Sequence, residues 1–336
     1  MARVLATAFL LVACVLVTTT CARAACTGTI PANAVYYVTD RAAQSDDALF
    51  SGERAYGPRR LPKLAFGTIA LPISRATNRP CTSENEFYRS LGSTLGTAGN
   101  VLIYIPGYYT SFATATGDAL KVRRASHMTG AVIVYSWPSK VTSRLTYIND
   151  ESNAAWSIID FRDVLAAVRK RYPNARISFA AHSLGSRFAL EGMNALRHDG
   201  CLHCFGRTVL FAPDVDSDTL LAELHASQLC TGPPKTMPVN AAPVLLYVSN
   251  RDVALRQSQT LHGHQRAGQA GNEMILCSGV DTIDVSYFKS SDRAGHSYQV
   301  DARIAGDAQA AFSGTSPRAR GLKAVKRGTE VYYELR

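Results

Sequence analysis

The 336-residue sequence predicts an α/β fold, a mostly parallel sheet covered by helices on both faces. Three observations carry that expectation. The runs Val101-Leu-Ile-Tyr-Ile105 and Ala131-Val-Ile-Val-Tyr135 are apolar at nearly every position rather than at alternate ones, which a strand requires only when both of its faces are buried. Helical periodicity separates runs of this kind, so that strands and helices alternate along the chain. Finally, 46% of the residues are hydrophobic and 18% charged, enough for a packed interior and wrong for a disordered chain or a multi-pass membrane protein.

The N-terminus reads as an export signal. Arg3 precedes an apolar run from Val4 to Val17, then Thr18-Thr19-Thr20 and the small-residue stretch Ala22-Arg23-Ala24. That is the order of a signal peptide, and the run is shorter than the roughly 18 apolar residues a bilayer span requires. Cleavage is expected after Ala24, which divides the chain into a signal (1–24), N-terminal strands extending the core (25–99), the core itself (100–312) and a basic C-terminal tail (313–336). Leu11-Val12-Ala13-Cys14 offers an alternative, a lipoprotein signal anchored at Cys14. Without the signal, six cysteines are left, an even number suited to disulfides in a periplasmic or secreted protein. Sequence order suggests Cys26–Cys81, Cys201–Cys204 and Cys230–Cys277, with other connectivities open. Cys201-Leu-His-Cys204 could instead be half of a zinc site completed by His262 and His264, but no metal is the preferred reading.

Strands are expected at Val35–Thr39 and within Leu64–Ile73, and a helix at Ser83–Leu91. The core strands are expected at Val101–Ile105, Ala131–Trp137, Arg176–Ala181, Thr208–Phe211, Val244–Val248 and Asp281–Val285. The clearest helix runs from about Ser152 to Arg171, where Ile158, Phe161, Leu165 and Val168 recur at three- and four-residue steps, and Pro173 and Asn174 stop it.

Lys and Arg number 36 against 26 Asp and Glu, a net charge of +10. The basic residues are scattered except for five between Arg318 and Arg327, and no basic stretch is interleaved with aromatics. Nucleic acid is therefore not an expected partner. A weak association of the 318–327 segment with an anionic membrane surface is. Nothing in the sequence fixes the oligomeric state.

The chemistry concentrates at Ala181-His182-Ser183-Leu184-Gly185, which lies between an apolar strand and an apolar-periodic helix. This is the spacing of the nucleophile elbow, with Ala in place of the first Gly. A sharp turn there exposes the serine hydroxyl and aims a helix N-terminus at it, and small neighbours two positions away avoid collision with the strand and helix. A serine needs a base held by an acid, and in this architecture the acid follows a later strand and the histidine comes last. Asp252, just past Leu245–Ser249, and His296 meet that order; Asp214, after the preceding strand, is the alternative acid. The oxyanion donors are expected at the N–H groups of Leu184 and of Tyr108 in the Pro106-Gly107-Tyr108-Tyr109 loop. Tyr108, Tyr109, Phe112, Trp137, Tyr147 and Trp156 either line an aromatic acyl pocket or belong to the core.

Taken together, Tyr135-Ser-Trp-Pro-Ser139, Ala181-His-Ser-Leu-Gly185, Ala212-Pro-Asp-Val-Asp216, Ser249-Asn-Arg-Asp-Val-Ala-Leu255, His296-Ser297 and the opening Val35-Tyr-Tyr-Val-Thr-Asp-Arg41 resemble a bacterial, lipase/esterase-like branch of the α/β-hydrolase superfamily. The resemblance implies the α/β-hydrolase fold and a serine hydrolase acting on small-molecule carboxylic esters through an acyl-enzyme on Ser183, with no metal or organic cofactor. The chain departs from the branch at Pro106-Gly-Tyr-Tyr109, where the pattern has His and Asn side chains that brace the oxyanion loop. That departure keeps open an alternative, a catalytically silent envelope-binding protein on a hydrolase scaffold.

Overall fold

The computed structural model describes residues 26, 29–46, 48–61, 63–96, 99–126, 130–140, 146–198, 200–201, 204–231, 243–290 and 292–336. The expected signal, with Cys14 and Ala24, lies outside the described residues. The strands are β1 (Ala34–Thr39), β2 (Arg41–Ala43), β3 (Phe50–Arg54), β4 (Ala65–Ala70), β5 (Asn78–Pro80), β6 (Asn100–Ile105), β7 (Ala131–Ser136), β8 (Arg176–His182), β9 (Phe205–Phe211), β10 (Val244–Val248), β11 (Val280–Asp284), β12 (Lys323–Arg327) and β13 (Glu330–Glu334). The helices are α1 (Glu84–Leu95), α2 (Phe112–Ser126), α3 (Tyr147–Arg171), α4 (Ser186–His198), α5 (Ser217–Ala226), α6 (Val253–His262) and α7 (Ala302–Phe312).

One sheet has the order β12-β13-β11-β10-β9-β8-β6-β7-β1-β4-β5, and β2 and β3 form a separate hairpin. From β13 to β1 every neighbouring pair is parallel. Antiparallel strands close both edges, β4 and β5 on one side and β12 on the other. Parallel strands are reached by crossovers, which is why helices lie on both faces. Phe87, Phe161, Leu165 and Phe188 from α1, α3 and α4 pack on one face. Phe112, Ala115 and Leu120 of α2 pack on the other, beside Ile304 and Ala308 of α7.

Local signals act as expected where the chain is short-range. Ser83 caps α1 by accepting from the Glu86 N–H at 3.2 Å, while the Glu86 carboxylate accepts from Thr82 N and Oγ1 at 2.6 Å. This reciprocal arrangement, close to a capping box, satisfies the Glu86 N–H and ties the residue before the cap to the first turn. Helix α3 ends before Pro173 as the sequence predicts, but begins at Tyr147, five residues ahead of the expected start at Ser152.

The segment set apart as a basic tail is built into the sheet. β12 and β13 form an antiparallel hairpin, and β13 pairs in parallel with β11. Of its five basic side chains, Arg320 is wholly interior, donating to Asp281 at 2.7 Å and Asp307 at 2.8 Å. The cysteines are bonded as Cys26–Cys81, Cys201–Cys204 and Cys230–Cys277, so the thiolates of the alternative zinc site are bonded to each other. Among the described residues no helix is long and apolar enough to cross a membrane.

Candidate active site

The site lies at the C-terminal ends of the parallel strands. Strand β8 runs into Ser183, which takes a left-handed backbone conformation at φ 53° before α4 begins. A non-glycine residue held there is strained, and such strain persists only where the surroundings dictate it. They do. A Cβ on Gly185 would lie 2.5 Å from the carbonyl oxygen of Pro106, and one on Gly107 would lie 2.8 Å from Ser183 Cβ. The elbow and the loop after β6 therefore touch backbone to backbone at two glycines.

His296 Nδ1 donates to Asp252 Oδ2 at 2.7 Å. Asp252 is fixed by a second duty, as the N-cap of α6, with Oδ1 accepting from the Leu255 N–H at 3.0 Å. The histidine loop comes close because Gly295 has φ 67° and faces the Arg251 carbonyl, which a Cβ would meet at 2.7 Å. Val253 N–H donates to the Ala294 carbonyl at 2.8 Å, and Asp292 accepts from the His296 N–H at 2.9 Å. Burial opposes a charged imidazole at 296, but the charge and hydrogen bond of Asp252 outweigh it and raise the His296 pKa above its ordinary value.

Ser183, His296, Tyr108 and Asp214 line one cavity of about 120 Å³. Ser183 Oγ and His296 Nε2 are both buried, and neither has a hydrogen-bond partner among the described residues. Buried polar atoms normally do, so two such atoms in one cavity mark a place meant for a ligand. Leu184 follows Ser183 in the turn and is buried. Asp214 stands in the same cavity but is taken up elsewhere. Its carboxylate accepts from Arg266 Nε at 2.8 Å, Ser258 Oγ at 2.6 Å and the Tyr147 hydroxyl. Burial pushes its pKa up, yet Arg266 and these donors hold it below the usual carboxylate value.

The loop that departs from the branch pattern is braced by residues far away in sequence. Trp137 Nε1 donates to the Pro106 carbonyl at 2.9 Å. Asp150 accepts from Tyr109 N at 3.4 Å, Ser139 Oγ at 2.7 Å and Lys140 N at 3.0 Å, and Thr110 N donates to Ser139 Oγ at 3.2 Å. Arg41, fully buried, donates to the Thr110 carbonyl at 2.7 Å and to Ser139 O at 3.0 Å. Burial lowers its pKa to about 10, so it stays charged at neutral pH. Sequence reasoning missed Asp150, Ser139 and Arg41 as a unit; the only signal was that Arg41 and Ser139 each close a motif shared with the branch.

His182 adjoins Ser183 in sequence, too close to serve as its base. Its Nε2 lies 3.2 Å from the carbonyl of His296. Burial, then the neighbouring His296, lower its pKa to about 3, so the ring is neutral and that nitrogen serves as the donor. Of the aromatics weighed for the acyl pocket, Tyr108 and Tyr147 line the cavity. Phe112 and Trp137 are core, and Trp156 packs under Arg54 beside Tyr56.

A parallel sheet with a strained serine elbow after a central strand, an acid after a later strand and a histidine following the next defines an α/β hydrolase. Residues 83–305 match the profile of the family described as "Alpha/beta hydrolase of unknown function (DUF900)", and the chain belongs to that family. No curated protein matches the chain significantly. Among solved structures, an esterase from Pyrobaculum calidifontis is 11% identical with a TM-score of 0.37, covering 74% of this chain and 81% of its own. Lipase B of Aspergillus fumigatus is 11% identical with a TM-score of 0.38, covering 87% of this chain and 66% of its own. Phospholipase PlaB of Legionella pneumophila is 12% identical with a TM-score of 0.36, covering 70% and 66%.

Proposed function

We propose that the protein is an exported serine hydrolase that cleaves small-molecule carboxylic esters through an acyl-enzyme on Ser183. The observation that carries this reading is the pair of unpartnered buried atoms, Ser183 Oγ and His296 Nε2, in one cavity, with the far side of the imidazole held by Asp252. His296 takes the proton from Ser183 Oγ as it attacks the ester carbonyl and returns it to the leaving alcohol. Asp252 fixes the tautomer and stabilises the imidazolium. The N–H groups of Leu184 and Tyr108 hold the oxyanion, and each such donor is worth about 10²–10³ in rate. Water then repeats the sequence to release the acid.

Asp214 does not take the part of the acid, because Arg266 already neutralises it. The bracing of the 106–110 loop by Trp137, Asp150 and Arg41 supports the hydrolase over a silent scaffold, since it replaces the side chains whose absence was the ground for the latter. Export rests on residues 1–24 and is compatible with three disulfides. Contact with an anionic membrane would fall to Arg318, Lys323 and Lys326, the exposed members of the basic segment. The test is a fluorophosphonate probe on the purified protein together with p-nitrophenyl ester turnover. Labelling confined to Ser183, and turnover abolished in Ser183→Ala, are expected; an unlabelled protein, or a Ser183→Ala variant as active as wild type, refutes the reading.

A further inference from the structure

The cavity at Ser183 is the first of three neighbours that share lining residues. Tyr108, Ala254 and His296 line both it and a second cavity of about 310 Å³ under the 106–110 loop. Tyr104, Asp118, Lys121, Gln299 and Val300 line both the second and a third of about 220 Å³. The third lies between α2 and α7, against the sheet. Val122 forms one wall, Ala305, Ala308 and Phe312 the opposite one, and Ala180 and Phe211 the floor. An apolar cavity on the order of 150 Å³ already admits benzene, so this space is large enough for a hydrocarbon segment.

The two outer cavities of this row differ in chemistry. Around Ser183 the walls carry the hydroxyls of Tyr147 and Ser258 and the amide of Gln257, a setting for a leaving alcohol. The α2–α7 end is lined mostly by carbon. At the neck between the second and third cavities the charged groups satisfy each other, with Lys121 Nζ 2.8 Å from Asp118 Oδ1 and the Tyr104 hydroxyl bonded to Asp118. Gln299 Oε1 has no partner among the described residues and needs a donor from water in the cleft. Tyr108, the expected oxyanion donor, lines both the cavity at Ser183 and the one that reaches this neck.

We propose that the space between α2 and α7 receives the aliphatic acyl arm of the substrate, so that the substrate class is esters of medium- to long-chain fatty acids. This inference rests on the hydrolase reading above. It places acyl selectivity away from the aromatic side chains at the mouth and on small residues of two helices, Ala305 and Val122 above all.

The test is kcat/KM for p-nitrophenyl acetate, octanoate and dodecanoate in wild type, Ala305→Phe and Val122→Phe, with a parallel series of n-alkyl acetates. Each methylene buried is worth roughly threefold to fourfold in binding, so octanoate should exceed acetate by at least about tenfold in wild type. Both variants, on opposite walls, should lower the octanoate-to-acetate ratio at least about tenfold and leave the alkyl acetate series in its order. Dodecanoate should inhibit acetate hydrolysis competitively in wild type, a readout independent of any substitution. An unchanged ratio in active variants, a response in the alkyl acetates instead, or no inhibition by dodecanoate overturns the inference and leaves the hydrolase standing. Absence of both ester turnover and Ser183 labelling brings down the hydrolase, and the inference with it.

Discussion

Gly107→Ala is the substitution that most directly probes how the elbow and the oxyanion loop depend on each other. The added Cβ would sit 2.8 Å from Ser183 Cβ and 2.9 Å from His182 Nδ1. Carbon atoms in contact are ordinarily about 3.5–4.0 Å apart, so one side must withdraw by roughly 1 Å. The elbow cannot, because Ser183 is locked at φ 53° between β8 and α4 and Gly185 already abuts the Pro106 carbonyl. The loop moves instead, taking the Tyr108 N–H out of reach of the oxyanion. Misplacement by about 1 Å costs on the order of 10²-fold, and loss of one oxyanion donor about 10²–10³. The overpacking itself costs about 1–3 kcal/mol, a fall of a few degrees in Tm. The assay is kcat and KM toward p-nitrophenyl butyrate, with the rate of fluorophosphonate labelling and a thermal melt on the same preparation. A fall of about 10²–10³ in kcat with KM within a few fold is expected. A folded variant keeping more than about a tenth of the wild-type kcat would refute the reasoning that this contact sets the donor geometry.

The two acids should separate cleanly. Asp252→Asn should lower kcat by about 10⁴ with a near-normal melt, whereas Asp214→Asn leaves the buried Arg266 unpaired and should cost about 3–5 kcal/mol of stability, read by denaturant unfolding. The pH–rate profile should show an acid limb above the ordinary histidine value of 6.5, since the neutral base is required and the His296 pKa is raised; a limb below 6.5 in wild type contradicts the Asp252–His296 pairing. Asp40 is buried and its pKa is pushed up to about 7, first by burial. It holds a proton in the folded state that the unfolded chain gives up near its ordinary 3.8, so it lowers stability progressively as pH rises from about 4 to 7. Asp40→Asn should therefore raise Tm more at pH 8 than at pH 4.5, and an equal shift at both would exclude this account.

The central strands could be read from the sequence almost residue by residue, because a strand buried on both faces has to be apolar throughout. Val244–Val248 was placed to the residue, and Ala131 and Arg176 begin β7 and β8 as expected. Ser183, Asp252 and His296 stand out in the sequence for another reason: chain order narrows the candidates once an elbow is recognised. What stayed hidden is whatever depends on tertiary partners. Arg320 looked like one of five solvated cations, and nothing near it announces Asp281 or Asp307. Arg41, Ser139 and Asp150 brace the 106–110 loop from three separate segments, a relation with no local periodicity. The short strands β2, β3, β5 and β12 carry too few buried positions to stand out.

Arg320 also settles where this chain can be handled. Its guanidinium lies between a carboxylate from β11 and one from α7, the helix that walls the apolar cavity. Removing the last twenty residues would take away the guanidinium that donates to both Asp281 and Asp307, and with it a tie between α7 and the sheet. Affinity tags belong after Arg336, on the intact hairpin.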